Sequence, residues 1–65
     1  MKAHVRARYE NDIIMTSGEI QVMQEDILWY ESLAFSHSQE KITHLKRMIR
    51  TREIHLQKLK EKLGL

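Results

Sequence analysis

The sequence predicts a mainly α-helical fold: an antiparallel two-helix hairpin with a coiled-coil-like seam, a short N-terminal β-strand or hairpin before it, and two copies joined as a dimeric four-helix bundle. Three observations lead there. Ile42, Leu45, Ile49, Arg52, Leu56, Leu59 and Leu63 alternate in steps of three and four, a heptad seam with one charge in it. Ile20, Met23, Ile27, Tyr30 and Ala34 repeat that spacing upstream, one register step out of phase. Finally, the chain has 65 residues and no cysteine, so neither a disulfide nor a thiolate metal site reinforces a core of this size, and a second helix or a second chain must.

Residues 1–16 are expected to form an N-terminal arm. Ala3, Val5, Ala7 and Tyr9 alternate with His4, Arg6 and Arg8, which is strand periodicity with a small apolar face and a basic one. Glu10-Asn11-Asp12 gives a turn signal before Ile13-Ile14-Met15, so a β-hairpin is one expectation and a frayed arm the other. Helix 1 is expected over 17–35, with Thr16 as N-cap and Glu19 three residues on, the spacing of a capping box. Its seam is Ile20, Met23, Ile27 and Tyr30, and a second apolar group of Val22, Trp29 and Leu33 lies beside it. Together they cover about half of the helix surface at 100° per residue, more than one facing helix needs.

The register slips between Ala34 and Ile42, and Ser36 with Gln39 again has capping-box spacing, so a tight turn belongs at 36–38. Neither Gly nor Pro enforces it, which leaves a single bent helix as the alternative. Helix 2 is expected over 38–63, with Gly64 as the C′ residue and Leu65 folding back on Leu59.

Charge bears on which helices pair. Residues 13–38 carry four acids and no Lys or Arg, while residues 39–65 carry eight bases against three acids. Helix 2 is flanked by lysines and is a poor partner for itself, whereas the acids beside helix 1 complement it in an antiparallel hairpin. In that hairpin the one charge of the second seam, Arg52, comes within about a turn of Glu19 and Asp26, so it either forms a partly buried ion pair with one of them or snorkels to water. A turn at 36–38 would also leave Leu56, Leu59 and Leu63 beyond the end of helix 1. Either the N-terminal arm or a second copy must cover them, which favours a homodimer assembled through Ile20, Met23, Ile27, Tyr30, Ile42, Leu45, Ile49, Leu56, Leu59 and Leu63.

No catalytic residue, metal site or cofactor is expected. His37, Glu40, His44 and His55 do not converge at helical spacing, two glycines build no phosphate loop, and so short a chain has no room for a water-free cleft. No apolar run is long enough for a membrane span or a secretory signal, so a soluble, cytoplasmic protein is the expectation. The function read from the residues is therefore binding: a small dimeric interaction protein, a regulator, adaptor or inhibitor, that presents Val22, Trp29 and Leu33 to another macromolecule.

A second reading starts from Lys2, His4, Arg6 and Arg8 on the polar face of the expected strand, together with Arg47, Arg50, Lys58 and Lys62 of helix 2. The order of basic strand, helix and helix, with Ser36-His37-Ser38 as a polar start to the last helix, resembles the ribbon-helix-helix repressors. That resemblance implies a DNA-binding regulator that lays a paired strand into a groove. The sequence departs from that family in the intervening Ile13-Ile14-Met15, in a longer second helix and in lacking the family's glycine directly before Ser36.

Overall fold

The computed structural model describes residues 1–33 and 38–65. It consists of two helices, α1 over Ala3–Leu33 and α2 over Ser38–Leu63, packed antiparallel into a rod of 50 × 14 × 13 Å. The expected turn, with Ser36 and His37, lies outside the described residues.

The main difference from the sequence reading is at the N-terminus. Where a strand or hairpin was expected over 3–16, the chain is helical from Ala3, and among the described residues there is no strand. The first turn closes on Lys2, whose carbonyl accepts the amides of Val5 and Arg6 at 3.1 and 3.0 Å. The physical reason lies in the packing. Val5 and Tyr9 fit a period of two, but they also fit a helical face that runs on through Ile13 and Thr16 into Ile20. That face finds cover on α2 along its whole length, whereas a lone hairpin is marginal in water. Thr16 is accordingly no N-cap: it sits in mid-helix, buried against α2.

The longer α1 also removes the overhang. Glu19 meets Arg52 and Tyr9 meets Lys62, contacts ten residues apart on each helix that hold one antiparallel register. Leu59 is buried and Leu56 and Leu63 are partly buried, beneath the N-terminal half of α1.

The core is one layer thick. Ile20, Met23, Ile27, Ile42 and Ile49 form its centre, with Tyr30, Leu45, Met48 and Leu56 packed against them. The seam residues assigned to assembly from the sequence thus close the hairpin within a single chain. At the far end Gly64 has φ 76° and its amide donates to the Glu61 carbonyl at 3.1 Å, while the Leu65 amide donates to that of Lys60 at 2.9 Å. These two bonds are the Schellman stop, and glycine suits it because an L side chain is strained at that φ. Leu65 itself remains 71% exposed and does not fold back onto the core.

Candidate interaction surface

Burying one stripe of α1 against α2 leaves the opposite side of α1 in solvent, and that side mixes large apolar residues with polar ones. Ile14, Met15, Val22, Leu28 and Trp29 are all more than half exposed, five of the eight exposed large hydrophobics among the described residues. At 100° per residue Met15, Val22 and Trp29 share a line with the exposed Gly18. A Cβ placed on Gly18 would meet nothing within 4 Å, so the glycine makes a dip in the middle of this line. Trp29 is held by its neighbours: its ring stands edge-on to that of Tyr30, with centroids 5.1 Å apart, and its carbonyl accepts a 2.6 Å hydrogen bond from the Ser32 hydroxyl.

The line turns inward at Val22 and Gly18, which join Glu19, Met23, Met48 and Arg52 in a shallow, mostly apolar groove between the helices. Its rim carries the ion pair sought for Arg52. The guanidinium Nε donates to Glu19 Oε2 at 3.1 Å, and both side chains are nearly half exposed. Asp26, the other candidate, is exposed. The pair therefore lies at the surface of the seam, where water screens it.

Of the three residues offered as a partner surface, Val22 and Trp29 are exposed on the outward side of α1, and Leu33 is partly buried at its end. Ile14, Met15 and Leu28 were missed. The signal of Met15 was legible, since continuing the helix back past Thr16 puts it on the same line as Val22, but a helix starting at 17 hides it; Leu28 lies within helix 1 under either reading and falls outside both of its apolar groups.

The four basic residues proposed for a groove do not form one face. In a helix His4 and Arg8 fall on one side and Arg6 on the other, while Lys2 precedes the first turn. Arg6 Nε also pairs with Glu10 Oε1 at 3.0 Å. The ribbon that a ribbon-helix-helix arrangement needs is thus replaced by a helix. On α2, Arg47, Arg50 and Lys58 lie on the outer face, and Lys62 instead stands over the Tyr9 ring. Among the described residues no three potential metal ligands gather, and no helix is long and apolar enough to cross a membrane.

No protein-family model, curated protein or solved structure matches the chain. The surface itself has to carry the functional reading.

Proposed function

We propose that this chain is a small cytoplasmic interaction protein that works by binding rather than by catalysis, as a regulator, adaptor or inhibitor, with the outward face of α1 as its contact surface. One observation carries the reading: large apolar side chains, a tryptophan among them, stand exposed in line on the side of α1 that the fold does not use. Contiguous exposed apolar patches are uncommon on isolated small domains, and tryptophan is the residue type most enriched at the energetic centres of interfaces. The preformed helix presents these groups without a backbone ordering cost on binding.

The test is site-specific photo-crosslinking in cells. A benzophenone side chain at Val22 should give discrete adducts that Trp29→Ala suppresses, and the same group at Gln57, exposed on α2, should give none of them. Adducts of equal yield from both positions would mean that the α1 face is not a specific contact surface.

A further inference from the structure

We propose that the partner of the outward α1 face is a second copy of this chain, docked with the two α1 helices antiparallel. The proposal rests on the surface reading above and names its occupant. Its basis is a second heptad seam on α1. His4, Arg8, Asn11, Met15, Gly18, Val22, Glu25 and Trp29 alternate in steps of four and three along the whole helix, and every one of them is exposed. Alternating steps of three and four are what a second, helical partner reads.

This seam maps onto itself when reversed, with a two-fold axis between Met15 and Gly18. Met15 then stands level with Gly18 of the second copy, the long side chain against the dip. Arg8 stands level with Glu25 of the second copy, and His4 with Trp29. Val22 stands level with Asn11 of the second copy. Met15 meets the Gly18 dip and Arg8 meets Glu25, each twice over by symmetry, which is the self-complementarity an isologous interface requires. A parallel arrangement would instead stack Glu25 on Glu25, Arg8 on Arg8 and Trp29 on Trp29. The acidic C-terminal half of α1 and its basic N-terminal residues thus select the antiparallel one.

In such a dimer both α2 helices, with Arg47, Arg50 and Lys58, remain on the outside.

The experiment is the solution mass of the full chain by sedimentation equilibrium from about 5 to 500 μM, with circular dichroism on each sample. Wild type should reach twice 7.8 kDa. Val22→Glu should return it to 7.8 kDa with helicity retained. Arg8→Glu and Glu25→Arg should each weaken association by about tenfold, and the double variant should recover most of the loss. Because neither charge faces α2, these variants leave the hairpin core untouched.

A wild-type chain that stays monomeric throughout overturns the proposal, as does a dimer indifferent to Val22→Glu or a charge swap that fails to restore association. The surface reading survives a monomer if Val22 still photo-crosslinks to another protein. It fails with the proposal if that position yields nothing.

Discussion

Lys62 Nζ stands 5.3 Å from the centroid of the Tyr9 ring, joining the start of α1 to the last turn of α2. The contact fixes where the N-terminal segment goes. Replacing Tyr9 by Leu should keep most of the packing and lose the cation–π attraction, about 0.5–1 kcal/mol at an exposed site. Tyr9→Ala should cost more, about 1–2 kcal/mol, because buried ring area is lost as well. Urea midpoints give the order, and amide exchange should quicken over residues 3–9 in both variants. An arm that did not pack on α2 would leave the midpoint unchanged in either.

Leu59 lies beneath the same part of α1 and is only 4% exposed. Leu59→Ala should destabilise the chain by about 2–4 kcal/mol, the usual cost of emptying a buried leucine site. The loss should be present at low protein concentration, since the cover comes from the same chain. A penalty that grew with concentration would mean that a second copy supplies that cover.

How much of this was legible in the sequence depends on the residue. The heptad from Ile42 to Leu63 is read correctly as helix because six of its positions are aliphatic and nothing interrupts it. The start of α1 is misread because Val5 and Tyr9 satisfy two periods at once, and Thr16 through Glu19 imitate a helix start. Local signals of that kind are worth about a kcal/mol each, and a continuous tertiary seam outweighs them. An α1 starting at 17 leaves Leu59 uncovered and keeps Met15 off the exposed line. Val22 and Trp29 were legible because both fall within a helix under either reading.

Arg52 and Glu19 meet at 3.1 Å, but with side chains 44% and 49% exposed. Glu19→Gln should therefore cost only about 0.2–1 kcal/mol, and less at high salt. Arg52→Leu puts an aliphatic residue into the remaining seam position and leaves Glu19 free to hydrate. It should be neutral or stabilising by up to about 1 kcal/mol. Thermal melts at low and at 1 M salt separate the two effects, and a loss above about 2 kcal/mol for Arg52→Leu would show that the pair is held in a drier setting.

Ser38 is the most buried of the described residues, 2% exposed, and its Oγ has no hydrogen-bond partner among them. A serine at the first position of a helix commonly caps it, and losing such a cap costs about 1 kcal/mol. A buried hydroxyl with no partner has the opposite sign, because its desolvation, about 1–3 kcal/mol, is not recovered. Ser38→Ala removes the oxygen and almost no volume, so it separates the two. With Oγ unpaired against the start of α2, the alanine variant should unfold at a higher urea midpoint, by the equivalent of about 1 kcal/mol. A midpoint lowered by a similar amount would mean that the hydroxyl accepts a backbone amide of the first turn in solution, and that the start of α2 is capped from within.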